Sequence, residues 1–177
     1  MRRSNPRLLT MLTLVACVIA GPTIDTAAAQ ERPAPAAELA AGALLFADDG
    51  VVTEAFVGAA GRFHVLPRVS VGPEFAFIQG ENHSHLMLTG NVTFDFVPPI
   101  NGRPPQVTPF VVAGLGLFHT RESFPNNQTF AHNEGAFTAG AGVMGRVGER
   151  VTVGAEVRVG WELHIRLNGT IGVRLGR

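Results

Sequence analysis

A chain of 177 residues has room for one domain, and its 14 basic and 14 acidic side chains cancel, which removes any electrostatic case for nucleic acid or another strongly charged partner. Apolar residues reach 46% and charged ones only 16%, yet past the first twenty positions no apolar run is long enough for a membrane helix. The single Cys17 lies near the N-terminus, so the rest of the chain holds no internal disulfide and no thiolate metal site.

Met1 to Ala29 has the form of a secretory signal. Arg2, Arg3 and Arg7 make a positive n-region, Leu8 to Ala20 an apolar core, and Ala27-Ala28-Ala29 a small-residue cleavage site before Gln30. A second reading lies inside it, because Leu14-Val15-Ala16-Cys17 has the form of a lipobox that would make Cys17 an acylated N-terminus. Gln30 to Ala37 is a Pro/Ala-rich lead-in, expected to be mobile. The folded domain is expected over 38–177.

From Glu38 onward apolar and polar residues alternate, a period of two that only a strand produces. Glu38 to Phe46 sets Leu39, Ala41, Ala43 and Leu45 on one side, and Asp48-Asp49-Gly50 is a hairpin signal. Thr53 to Val65 opposes Ala55, Val57, Ala59 and Phe63 to Glu54, Gly58, Arg62 and His64. After Leu66-Pro67, Arg68 to Ile78 opposes Val69, Val71, Phe75 and Phe77 to Ser70, Gly72 and Glu74; Pro73, which cannot donate to a ladder, predicts a bulge. A polar loop, Gly80 to Ser84, leads to a run where Leu86, Leu88, Val92, Phe94 and Phe96 alternate with His85, Met87, Thr89, Asn91, Thr93 and Asp95.

Pro98 to Gln106 is a Pro/Gly-rich connection. Val107 to His119 follows, with Val112 and Phe118 blurring its polarity, then a longest loop from Thr120 to Asn133. Glu134 to Val147 sets Phe137, Ala139, Ala141 and Val143 against Thr138, Gly140, Gly142 and Arg146. The last two runs are the cleanest. Val151, Val153, Ala155, Val157, Val159 and Trp161 share one parity, then Leu163, Ile165, Leu167, Ile171, Val173 and Leu175 repeat it. Runs of about ten residues exceed the ~5–6 of a soluble strand and match a tilted membrane-spanning strand. With alternating connections, short turns at one end and longer loops at the other are expected.

Two features decide which face is inside. The polar parity mixes glycine with large charged groups, which suits the crowded lumen of eight strands better than open solvent. It also balances Glu38, Glu54, Glu74, Asp95 and Glu156 against Arg62, Arg146, Arg158, Arg166 and Arg174, and buried charges persist when paired. The expected fold is an all-β, eight-stranded antiparallel up-and-down transmembrane β-barrel. Its expected lumen charge network is Glu54, Arg62, Glu74, Asp95, Arg146, Glu156, Arg158, Arg166 and Arg174. The alternative is a soluble periplasmic lipocalin-like barrel enclosing an apolar ligand.

Thr108-Pro109-Phe110-Val111-Val112-Ala113-Gly114-Leu115-Gly116, Ala139-Gly140-Ala141-Gly142-Val143 and the closing Glu156-Val157-Arg158 strand resemble the small outer-membrane β-barrel domains of Gram-negative bacteria, the OmpA/OmpX-type and related porin-like families. The resemblance covers 38–177 and implies a porin-like, OmpA-like barrel in the cell outer membrane, in contact with lipid and assembled by the insertion machinery. It differs in closing on Leu175-Gly176-Arg177 rather than a terminal aromatic, and in having one Trp and no Tyr.

His83, His85, His119 and His132 lie in or beside the distal loops near Glu81, Glu122 and Glu134, with no recognised metal-ligand spacing; they read as polar loop residues. His64 and His164 read as members of the lumen hydrogen-bond network. Some eight-stranded outer-membrane barrels are lipid A-modifying enzymes, but beyond the signal only Ser70, Ser84 and Ser123 could be nucleophiles, and none pairs with a histidine at i, i+2. The expectation is therefore no enzyme, no metal and no cofactor. What remains is a monomeric structural or interaction protein with a plugged lumen, meeting an unidentified extracellular ligand through Gly80–Ser84 and Thr120–Asn133.

Overall fold

A computed structural model describes residues 32–48, 50–80, 83–123, 129–161 and 164–176. The expected signal sequence with Cys17, and Asp49 and Glu81, lie outside these residues. Eight strands follow one another: β1 (Ala36–Asp48), β2 (Gly50–Leu66), β3 (Val69–Gln79), β4 (His83–Asp95), β5 (Val107–Ser123), β6 (Thr129–Val147), β7 (Val151–Gly160) and β8 (His164–Arg174). Each pairs antiparallel with its chain neighbour, and β8 returns to β1 through Ala36↔Arg174 to close an up-and-down barrel with no free edge. Both termini of the barrel therefore lie at one end, here the terminal end. The shortest strand, β7, has 10 residues; tilted as in such barrels, it stands about 25 Å tall.

The loops differ from expectation. Thr120 to Asn133 is mostly strand, because β5 and β6 keep pairing through Thr120↔His132 and Glu122↔Phe130 to Ser123↔Thr129. Only 124–128 lies between them, and only 80–82 between β3 and β4. At the distal end the ladder continues where polar residues on both faces erase the alternation, so strand looks like loop. The longest connection, 96–106, is at the terminal end instead. Pro73 does not bulge: it stays opposite Gly90 in β4. The register shift falls between His64 and Leu66.

Polarity is inside out relative to a soluble barrel. Val157 is 44% exposed, Leu115 74%, and Leu39, Phe75, Leu88, Ile165 and Ile171 face outward with them. Glu54, Glu74, Asp95, Glu156, Arg158 and Arg166 are buried. This lining excludes the lipocalin-like alternative, which needs an apolar interior. Val112 and Phe118 blurred the sequence pattern because they do face inward.

Candidate functional site in the lumen

Inward side chains stack in tiers that follow each strand's order. Nearest the terminal end, Arg62 meets Glu38 (Nε to Oε1, 3.2 Å) and Asp95 (Nη1 to Oδ1, 3.4 Å), and its guanidinium lies 5.1 Å from the Phe110 ring centre. His64 Nε2 stands 3.6 Å from Asp95. Ser70 is opposite His64 in register, yet Ser70 Oγ and His64 Nδ1 are both buried with no hydrogen-bond partner, so no Ser–His pair forms.

The middle tier holds two carboxylates and two guanidiniums. Arg166 reaches Glu74 (2.6 Å) and Glu156 (3.2 Å), and Arg158 reaches Glu74 (2.8 Å) and Glu156 (2.6 Å). Asn91 Nδ2 donates to Glu74 Oε2 at 2.5 Å, and Arg166 lies over Phe56, 4.7 Å from the ring centre. The charges sum to zero. Such a set is held together because removing one member strands another in a water-poor space. A void of about 20 Å³ between Glu38, Glu74, Arg158 and Asn168 is the size of one or two waters.

Toward the distal end comes an apolar collar of Leu44, Phe56, Ala76, Ile78, Met87 and Phe118. It sits between Glu74 and the mouth because Ala76 and Ile78 follow Glu74 along β3, and Met87 follows His85 along β4.

The mouth holds a cluster that the sequence reading did not assemble. Glu54 of β2 faces His83 and His85 of β4: His83 Nε2 is hydrogen-bonded to Glu54 Oε1, and His85 Nε2 lies 3.9 Å from Oε2. His85 Nδ1 is 3.0 Å from Thr120 Oγ1, and its ring stacks on Phe118 with centres 4.8 Å apart. Glu54 was expected in the arginine network, but its ion-pair partners are imidazoles. His85 was expected on the polar parity of this strand, but His83 was placed in the loop Gly80–Ser84; both belong to β4, where i and i+2 share a face, so the lumen receives both. That spacing was the available signal, and placing His83 in the loop hid it.

The expected nine-residue network thus divides. Glu74, Glu156, Arg158 and Arg166 form one set, Arg62 and Asp95 another, and Glu54 stands apart. Arg146 and Arg174 lie at the terminal mouth, each with a buried Nε lacking a hydrogen-bond partner, outside either set. Ser84 shares neither the parity nor the face of His83 and His85. His119 bonds Asn133 on the exposed side (2.7 Å), while His132 meets Glu134 at 2.6 Å. His164 Nδ1 donates to the Trp161 carbonyl oxygen (2.6 Å). The side chains of Glu122 and Ser123 lie outside the described residues.

The chain is thus a closed eight-stranded barrel with an apolar exterior and an ion-paired interior. Solved structures that share this fold include small bacterial β-barrels. Neisserial surface protein A matches with a TM-score of 0.69 at 11% identity, over 80% of this chain and 97% of that one. The N-terminal β-barrel domain of Pseudomonas aeruginosa OprF gives 0.59 at 14%, over 79% and 97%. Ail, the attachment invasion locus protein of Yersinia pestis, gives 0.55 at 11%, over 80% and 98%. No protein-family model and no curated protein matches the sequence. The expected resemblance to the OmpA/OmpX-type barrels holds at the level of fold.

Proposed function

We propose that the chain is an integral protein of the bacterial outer membrane with a plugged lumen, and that it works, without catalysis, as a structural or interaction protein through its distal end. One observation carries this: an apolar band faces outward around the wall, while Glu54, Glu74, Asp95, Glu156, Arg158 and Arg166 are buried inside. An aqueous exterior would not tolerate that band, whereas lipid requires it. Aromatic and cationic anchors at both rims support the same reading. Phe137 packs against Trp161 (5.9 Å) at the distal rim, and Arg68 covers Phe94 (4.7 Å) at the terminal rim.

The terminal end is then periplasmic and the distal end external. The contact element toward an extracellular ligand is the raised β5–β6 hairpin, whose strands of 17 and 19 residues extend beyond the wall of β7 and β8. The neutral middle tier and the apolar collar are what plug the lumen, since eight strands leave only enough width for side chains. A barrel that closes on itself leaves no free strand edge for a second copy, which supports a monomer. The test is to express the full sequence in a Gram-negative host, fractionate it, and run boiled and unboiled samples on a gel. Recovery in the outer membrane with a heat-dependent mobility shift is expected. Recovery in the soluble fraction with identical mobility overturns the proposal.

A further inference from the structure

We infer that Glu54, His83 and His85 form a zinc site at the distal mouth of the barrel. One carboxylate oxygen and two imidazole nitrogens from these residues all lie within 4.8 Å of one another. A tetrahedral zinc with bonds of 2.0–2.1 Å separates its ligands by about 3.3 Å. Occupation therefore asks the His83–Glu54 hydrogen bond to open and the His85–Glu54 gap of 3.9 Å to close, both side-chain adjustments on fixed strands.

Four further features distinguish this cluster from an ordinary polar contact. Glu54 is buried, its side chain only 2% exposed, and Oε2 has no hydrogen-bond partner although it points toward His85. A stranded carboxylate oxygen of this kind is expensive unless a cation meets it. Second, among the described residues no arginine pairs with Glu54, in contrast to Glu74 and Glu156, so with neutral imidazoles the cluster carries an uncompensated negative charge. Third, Thr120 Oγ1 accepts from His85 Nδ1 at 3.0 Å in the tautomer that leaves Nε2 with its lone pair facing Glu54, the outer-sphere contact that orients a ligating histidine. Fourth, residue 80 is a glycine. A Cβ there would stand 2.5 Å from His83 Nε2 and 2.7 Å from Glu54 Oε1, inside the space the donors share.

The donor set decides the ion. Two imidazoles and one carboxylate suit zinc and its first-row neighbours, not magnesium or calcium, which take oxygen shells. Three protein ligands leave a fourth position for water or for a donor group of an incoming partner. Phe118 stacks beneath His85, and the apolar collar lies below, so the ion would be held at the mouth, with no polar path into the middle tier.

The test uses untagged full chain refolded in detergent and titrated calorimetrically with zinc chloride alone. One zinc per barrel is expected. Glu54→Gln and His85→Ala should each weaken binding by about tenfold or more, while His119→Ala, on the exposed side, leaves it unchanged. Each variant is first checked for the mobility shift of a folded barrel. Should either fail to fold, His83→Gln and the wild-type cobalt spectrum still decide. Cobalt(II) in the site gives the intense visible bands of tetrahedral coordination, lost in His83→Gln. Absence of saturable zinc binding, a weak octahedral cobalt spectrum, or site variants that bind like wild type overturns the inference. A chain that binds zinc yet fractionates as soluble would sink the membrane reading and leave this one standing.

Discussion

Glu74 and Glu54 project into the same lumen from neighbouring strands, and their surroundings are opposite. Glu74 has guanidiniums at 2.6 and 2.8 Å and an amide donor from Asn91. Glu54, equally buried, faces two imidazoles, and one of its oxygens accepts no hydrogen bond. The middle tier is neutral and its four charges pair with one another, although Arg166 Nε keeps no hydrogen-bond partner. The mouth is incomplete as built. A charge-balanced cluster reads as scaffold, whereas a buried group left unmatched marks a place where something else is meant to sit.

The sharpest way to break this contrast is to remove Arg166, 1% exposed and shared between Glu74 and Glu156. Arg166→Met keeps the bulk over Phe56 but leaves the tier with one surplus carboxylate. It should cost ~3–5 kcal/mol in refolding stability, measured by urea titration in detergent. Double-mutant cycles then apportion the tier. Glu156→Gln should couple with Arg158 and with Arg166 by ~0.5–3 kcal/mol and be additive with Arg146, which lies at the terminal mouth. Additivity in all three cycles would mean that Glu156 faces bulk water.

A second comparison asks whether that tier is enclosed at all, using two positions of β7 on either side of the wall. Val157→Arg puts a charge into the lipid band and should cost ~2–4 kcal/mol near the midplane. Gly154→Leu goes into the lumen, where a Cβ would already meet Thr170 Oγ1 at 2.8 Å and the Val143 carbonyl oxygen at 2.9 Å, and should cost ~1–3 kcal/mol. If Gly154→Leu is neutral while Val157→Arg is not, the inward face is open to solvent.

Much of this was legible beforehand because a barrel wall writes itself as alternation. The parity of Val151 to Trp161 located the outward apolar face, and the charges on the other parity located Glu74, Glu156, Arg158 and Arg166. Three things were not legible. Which acid meets which arginine depends on the stagger of strands far apart in sequence, so Glu54 could not be separated from Glu74. Above the lipid band both parities become polar, so β5 and β6 lost their signal between Thr120 and Asn133 while their backbone pairing continued. His83 fell in the same blind zone, and its i, i+2 spacing from His85 has meaning only once it is known to be strand.

The smallest expected effect is the most discriminating. Glu54→Gln is nearly isosteric with the wild-type side chain, so it changes charge and little else. At Glu74 the same substitution should behave like the loss of Arg166, because it leaves two guanidiniums with one carboxylate between them. At Glu54 no guanidinium is stranded. The amide can still face the imidazoles, and the stranded carboxylate oxygen is gone. In metal-free protein Glu54→Gln should therefore change stability by less than about 1 kcal/mol, of either sign, within the range of one neutral hydrogen bond gained or lost. Paired urea titrations of Glu54→Gln and Glu74→Gln under chelator measure the difference directly. If both lose several kcal/mol, Glu54 is as much a structural charge as Glu74, with protonated His83 and His85 as its counter-ions. The mouth would then belong to the scaffold and the distinction between the two tiers would fall.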